Sequence, residues 1–160
     1  MVNFQGRAAH IGRTFQEMCQ WSLDGLGFDL RTSVDLRDIG IEVDMLADNA
    51  QGISFFVECK GSMHGERPGL IRTDTMKKAL CNGFLLRELG VGPYVIMTSH
   101  LPTMHSAAGK MLMAAGRVVV FDVIRPLVRS DMKRLETFLT MDTEELESWR
   151  DDHPQFDLPE

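Results

Sequence analysis

Cysteine is scarce in this chain, and the three present, Cys19, Cys59 and Cys81, are odd in number and scattered, with no CxxC pair. That excludes a disulfide framework and a closed four-ligand zinc site. No apolar run approaches the roughly 20 residues of a membrane span. The N-terminal MVNFQGRAAH also lacks the apolar stretch of a secretory signal. A reducing cytoplasm is the expected address, with the cysteines as small core residues. There is no glycine-rich phosphate loop, no GxGxxG after a strand, and no nucleophile-elbow context around Ser99 or Ser106. His64, His100 and His105 fall in loops without metal-ligand spacing. Long basic tracts are missing too, and the net charge is −6.

What remains is an ordinary globular composition, 44% hydrophobic and 25% charged over 160 residues. That length suits one domain able to bury roughly 70% of its unfolded surface. The eleven methionines fall on positions that helical and strand patterns already bury. The negative charge is concentrated at one end. Residues 131 to 160 hold ten acidic against three basic side chains, and residues 1 to 130 are close to neutral. An acidic total therefore does not exclude a nucleic-acid face on the main body.

The densest chemistry lies in Ile41 to Lys60, IEVDMLADNAQGISFFVECK. Two β-rich runs flank the turn-forming Asp48-Asn49-Ala50-Gln51-Gly52, which predicts an antiparallel hairpin. A turn centred near residue 51 sets Asp44 and Glu58 opposite each other, with Cβ atoms roughly 5 Å apart. Period two puts Glu58 and Lys60 on one face and Phe55, Val57 and Cys59 on the other. It likewise separates Glu42 and Asp44 from Ile41, Val43 and Met45. Facing carboxylates repel unless a cation or proton intervenes, so the pair, with Lys60 beside it, reads as a site for a hard divalent cation. A surface salt-bridge cluster is the plainer alternative. Lys60, Arg67, Arg72, Lys77 and Lys78 follow the hairpin and form a candidate phosphate-binding face, or a solvated helix face with ordinary surface charges.

Around the hairpin the pattern predicts a helix over Ile11–Leu26, an irregular strand and loop over Arg31–Gly40, and a helix over Thr73–Leu89. It then predicts a strand at Tyr94–Thr98, a helix at Ser106–Ala115, a strand at Val118–Ile124 and an acidic helix at Thr143–Arg150 ahead of a loose tail. Alternation of strand and helix makes the later part of the sheet parallel, giving an α/β fold with a mixed sheet clothed by helices.

The order of motifs resembles the restriction-endonuclease-like PD-(D/E)xK nuclease superfamily, and within it the Mrr-type catalytic domain. The likeness runs through Gly12-Arg13-Thr14-Phe15, Leu26-Gly27-Phe28, Ile41-Glu42-Val43-Asp44, Val57-Glu58-Cys59-Lys60, Tyr94-Val95-Ile96-Met97-Thr98-Ser99 and Val120-Phe121-Asp122. It implies a three-layer α/β/α fold over residues 1–135, followed by an acidic helix and tail over 136–160. It also implies a Mg²⁺-dependent endodeoxyribonuclease, with Mn²⁺ as a substitute. Asp44, Glu58 and the backbone carbonyl of Cys59 would be the metal ligands, and Lys60 would position water or stabilise developing charge. Near two carboxylates the ammonium form of Lys60 is favoured over a neutral base. Relatives place a glutamate four residues after the helix-opening glycine, where this chain has Gln16, with Glu17 next. Helical periodicity favours Gln16 as the site-facing residue, and a register slip would bring Glu17 inward.

Two functional classes follow. The first is a DNA endonuclease, Mrr-type or similar to Holliday-junction resolvases, from a prokaryotic or phage cytoplasm. It would act as a homodimer on double-stranded or branched DNA, with recognition supplied by structure or by a separate subunit. The second is an inactive nuclease-fold DNA-binding or scaffold protein, for which Gln16 and the acidic tail speak. RNA stays open as a substrate, although the aromatic stacking platform of RNA modules is missing.

Overall fold

A computed structural model describes residues 4–36, 40–62, 68–153 and 155–160. One five-stranded sheet runs through the molecule in the order β1 to β5. Its strands are β1 Asp29–Leu36, β2 Ile41–Asp48, β3 Ser54–Lys60, β4 Tyr94–Thr98 and β5 Asp122–Ile124. The first three pair antiparallel and the last three parallel, giving a mixed sheet. Helices cover both faces. On one lie α1 (Phe4–Leu26), α4 (Arg129–Phe138) and α5 (Thr143–Asp152), and on the other α2 (Thr73–Glu88) and α3 (Ala107–Val119).

Each helix turns an apolar stripe to the sheet. Phe15, Cys19 and Leu23, four residues apart on α1, are buried with Phe55, Val57 and Met97. Met76, Ala79 and Leu86 of α2 and Leu112 of α3 are buried with Phe56, Ile96 and Val123 on the other face. Two glycines set close approaches. A Cβ on Gly61 would lie 2.3 Å from the Phe15 ring, and one on Gly83 would lie 2.7 Å from Tyr94 Cδ1 and 2.8 Å from the Val119 carbonyl.

The hairpin turn is held by one side chain. Asn49 is 7% exposed, and its Oδ1 accepts from the Gln51 and Ile53 amides at 3.0 and 2.9 Å. Its Nδ2 donates to the carbonyls of Phe138 and Met141 at 2.9 and 2.8 Å, tying the turn to the end of α4. Gly52, at φ 78°, closes the turn. The resulting register pairs Asp48 with Ser54 and Met45 with Val57, which is the register expected from the sequence.

Several expectations are corrected. Where a short irregular strand and loop is expected over Arg31–Gly40, a regular strand, β1, starts at Asp29 and runs to Leu36, paired along β2 from Asp29↔Asp48 to Leu36↔Ile41, and residues 37–39 lie outside the described residues. Helix α3 reaches Val119 across a non-helical Gly116 (φ 64°), so Val118 and Val119 end the helix and β5 is only three residues long. Helix α4 lies in a stretch for which no element was expected, and α1 begins seven residues before Ile11. The tail is not loose. Phe156 and Leu158 are each 6% exposed in the α2–α3-side core, and the Met104 amide donates to the Pro159 carbonyl at 2.7 Å. Cys19 is buried as expected, whereas Cys81 is exposed. Ile41, Val43 and Met45 do not share a face: the first two belong to the α2–α3-side core and Met45 to the α1–α4-side core. The β1–β2 offset is unchanged through this region, so both strands roll over together. Strong coiling of this kind is expected of a two-stranded ribbon extending past its neighbour. The roll occurs at Asp44.

Candidate functional site

The β2–β3 ladder ends at Met45–Val57, one residue before Asp44 and Glu58 would pair. There the backbone partner of Cys59 is replaced by a side chain, and the Cys59 amide donates to Asp44 Oδ2 at 2.7 Å. The Phe56 amide reaches across to Pro93 on the β4 side. Strand alternation therefore turns the amide and carbonyl of Cys59 the other way, towards β2 and Asp44. The Asp44 side chain, the Cys59 carbonyl and Glu58 thus gather where the two strands part.

Glu58 is 5% exposed on the α2-facing side of β3, and its carboxylate pairs with the ammonium of Lys60, two residues on. Burial pushes the Glu58 carboxyl above its ordinary value. Lys60 opposes this by charge and hydrogen bond, Asp44 adds to it, and the amide of Asn82 opposes it weakly. Burial wins although a lysine is in contact. A carboxyl in this state is under-compensated, which a divalent cation would correct. Lys60 is anchored from behind, its carbonyl accepting from Thr98 Oγ1 at 2.7 Å. Gly69, at φ 63°, lets the following loop cross there, because a Cβ on it would sit 2.7 Å from that hydroxyl. The parallel strands β3 and β4 end together at this point, the usual position for ligands in α/β sheets.

The structure thus brings Asp44, Glu58, Cys59 and Lys60 together. Of the first-helix candidates, Gln16 is half-buried and Glu17 exposed, on a helix whose Phe15 packs against Gly61, the residue after Lys60. Of the basic candidates, Arg72 is exposed and paired with Asp74 at 2.8 Å. Lys77 lines the α2–α3 groove beside Leu80, Phe84 and Met111. Lys78 lies one helical turn before Asn82, on the site side of α2. Arg67 and His64 lie outside the described residues. Among the described residues no three His, Cys, Asp or Glu side chains form a metal-ligating group. The candidate set is two carboxylates and a carbonyl, all oxygen, which suits Mg²⁺, an ion that keeps several waters and takes one or two carboxylates. It does not suit zinc or copper.

Two neighbours were not anticipated from the sequence. Asn82 places its Nδ2 3.4 Å from the Glu42 carbonyl as well as beside Glu58. Tyr94 is 3% exposed and its hydroxyl has no hydrogen-bond partner among the described residues. Burial pushes its phenol up, and the charges of Glu58 and Asp44 add to that. On the far side of β3 the Cys59 thiol meets Cys19, and that hydrogen bond together with burial keeps it a thiol. No periodic signal marks either Asn82 or the Tyr94 hydroxyl.

No protein-family model matches this sequence, and no curated protein does. Among solved structures, the fold is similar to the crystal structure of a protein of unknown function, AF1548. The TM-score is 0.52 at 18% identity, over 86% of this chain and 77% of that one. The likeness is one of fold. Among the described residues no helix is long and apolar enough to cross a membrane.

Proposed function

We propose that this chain is a divalent-metal-dependent endonuclease of the restriction-endonuclease-like PD-(D/E)xK type, hydrolysing phosphodiester bonds of double-stranded or branched DNA. The observation that carries this reading is the parting of β2 and β3 at Met45–Val57, where Asp44, Glu58 and Lys60 crowd together with Glu58 under-compensated. Asp44, Glu58 and the Cys59 carbonyl would hold Mg²⁺, with Mn²⁺ as a substitute. When bound, the ion supplies Lewis-acid polarisation of the phosphoryl oxygen and a lowered pKa for its water.

The chain's own groups do the remainder. Lys60, anchored through Thr98, presents an ammonium beside Glu58, where it orients the attacking water and offsets charge developing on the phosphoryl oxygens. Glu58 must be ionised to hold the ion, so protons and metal compete for it and more metal is needed as the pH falls. Lys78 adds a positive charge on the α2 face near the site, for the DNA backbone. Two cuts on two strands call for a homodimer, and target choice would come from DNA structure or from a recognition partner.

The second reading, a nuclease-fold DNA-binding or scaffold protein without catalysis, is favoured by Gln16, an uncharged side chain where the resembled family carries a glutamate, and by the acidic tail. The two are separated by incubating the protein with supercoiled plasmid and with a four-way junction in Mg²⁺ or Mn²⁺, alongside Lys60→Ala and Asp44→Asn. Cleavage by the unaltered chain and none by either variant is the expected result. No cleavage in either metal, with DNA binding indifferent to both substitutions, would overturn the nuclease reading in favour of the second.

A further inference from the structure

Six large apolar side chains are exposed among the described residues, and three of them, Phe84, Val91 and Val118, meet on one surface. Phe84 lies in the groove between α2 and α3, which Leu80, Met111 and Ala115 also line. Val91 and Val118 border a cleft between the ends of α2 and α3 and the side of α5. Arg87 and Val119 line both, so groove and cleft are one continuous surface. Single apolar side chains on a surface need no explanation, whereas a continuous patch of them marks a place of contact.

The charges around the patch say what covers it. On the α2 edge stand Lys77, Arg87 and Glu88, and on the α5 edge Glu147 and Arg150, all exposed. A partner of one sign would satisfy part of each edge and be repelled by the rest. A second copy of the same surface, turned about a two-fold axis, sets the α2 edge of each chain on the α5 edge of the other. Arg87 then meets Glu147, and Glu88 meets Arg150, twice over. The surface is complementary to itself in charge as well as apolar at its centre.

We propose that a second copy of this chain docks here, in an isologous dimer in which each copy covers Phe84 and Val118 of the other. The cleft lies beside Pro93 and Tyr94, where β4 begins, whereas Lys60 pairs with Thr98 at the far end of the same strands. A dimer formed at the cleft therefore leaves both candidate metal sites open. The contact stands on exposure and charge alone. That the pair serves to cut two strands rests on the nuclease reading.

Sedimentation equilibrium of the full chain, from micromolar to near-millimolar concentration, is expected to show a monomer–dimer equilibrium. Phe84→Glu and Val118→Glu should each raise the dissociation constant about tenfold or more, as loss of a central apolar contact does, and Trp21→Glu, exposed on α1 outside this surface, should leave it unchanged. All three positions are exposed, and circular dichroism checks that the variants fold. Arg87→Glu and Glu147→Arg should each weaken the dimer, and the two together should restore it, which a merely sticky surface would not do. Cys81, the exposed cysteine, lines the same groove, so its alkylation by N-ethylmaleimide should slow as the chain is concentrated.

A chain that stays monomeric throughout would overturn the proposal and leave this surface to a different protein. A dimer indifferent to Phe84→Glu and Val118→Glu would also overturn it, as would growth beyond a closed pair. Plasmid cleavage by a chain that is monomeric throughout would sink this inference and leave the nuclease reading standing. A dimer broken by these substitutions, without cleavage by the unaltered chain in either metal, would sink that reading and uphold the contact.

Discussion

Two groups of buried charge lie at opposite ends of the parallel strands' edge, and they are balanced in opposite ways. At β5, Asp122 and Asp131 are 1% and 2% exposed and are met by Arg117, Arg125 and Arg134 through contacts of 2.6 to 3.3 Å. At β3, Glu58 and Asp44 have among the described residues one ammonium beside them, that of Lys60. The consequence is visible in the acids. Burial pulls Asp131 up, but the hydrogen bonds and charges of Arg125 and Arg134 more than reverse it, holding the carboxyl below its ordinary value. Burial pulls Glu58 up and is not reversed. The first group is balanced in charge and fastens β5, α4 and the C-terminal segment, with Arg117 also stacked 4.6 Å over Phe156. The second has a deficit of positive charge, which the proposed cation would make up.

The sharpest break of the comparison is functional. Asp44→Asn and Lys60→Ala should each lower cleavage by about 10³-fold or more, roughly 4 kcal/mol of transition-state stabilisation, while leaving the unfolding midpoint near that of the unaltered chain. Plasmid nicking rates and urea denaturation read the two together. The converse substitution is structural. Asp122→Asn takes the counter-charge from Arg117 and leaves Arg134 with Asp131 alone, and should cost about 3 kcal/mol of stability by urea denaturation, with metal dependence of cleavage unaltered. Asn49→Ala should cost about 2 kcal/mol, because it strips a buried turn of its hydrogen bonds. It should also weaken cleavage, because the turn sets the register on which Asp44 and Glu58 depend.

The pH dependence of stability separates the groups by sign. A carboxyl raised on folding contributes stability that is fully present below its unfolded value, near 4.5 for Glu58, and is lost as pH rises through the folded value. Asp131, lowered on folding, contributes stability present above its unfolded value, near 3.8, and lost as pH falls through the folded value. Glu58→Gln is therefore expected to stabilise the metal-free chain at neutral pH, with the advantage vanishing in acid, and Asp131→Asn to do the reverse. Denaturation series with and without Mg²⁺ check this, since the cation should erase the Glu58→Gln advantage. The smallest effect belongs to Tyr94→Phe. Removing a hydroxyl without a partner should change stability by about 1 kcal/mol or less, towards greater stability.

How much of this was legible in the sequence follows from where the information is local. The hairpin register was, because Asn49 and Gly52 define the turn and period two does the rest. So were α1, α2, β4 and α5, whose apolar patterns lie within each segment. Helix α4 was not, because RSDMKRLETF is so charged that only the packing of Leu135 and Phe138 on the sheet explains it. Val118 to Ile124 is one apolar run in sequence, and nothing local says that the chain, after breaking at Gly116, takes a further helical turn through Val118 and Val119. The rollover at Asp44 arises from coiling of a ribbon past its neighbour, a property of the assembled sheet. For the site, Asp44, Glu58 and Lys60 were readable as a group from spacing alone. Asn82 was not, because a single asparagine in a helix acquires meaning only from the strands packed beneath it.

The central claim, that under-compensation at Glu58 marks a cation site, is most directly tested by Mn²⁺ titration of the unaltered chain, Asp44→Asn, Glu58→Gln and Asp131→Asn, followed by electron paramagnetic resonance. One bound ion per chain in the unaltered protein and in Asp131→Asn, with none in Asp44→Asn or Glu58→Gln, is the predicted result. Equal binding by all four, or none by the unaltered chain, would contradict it.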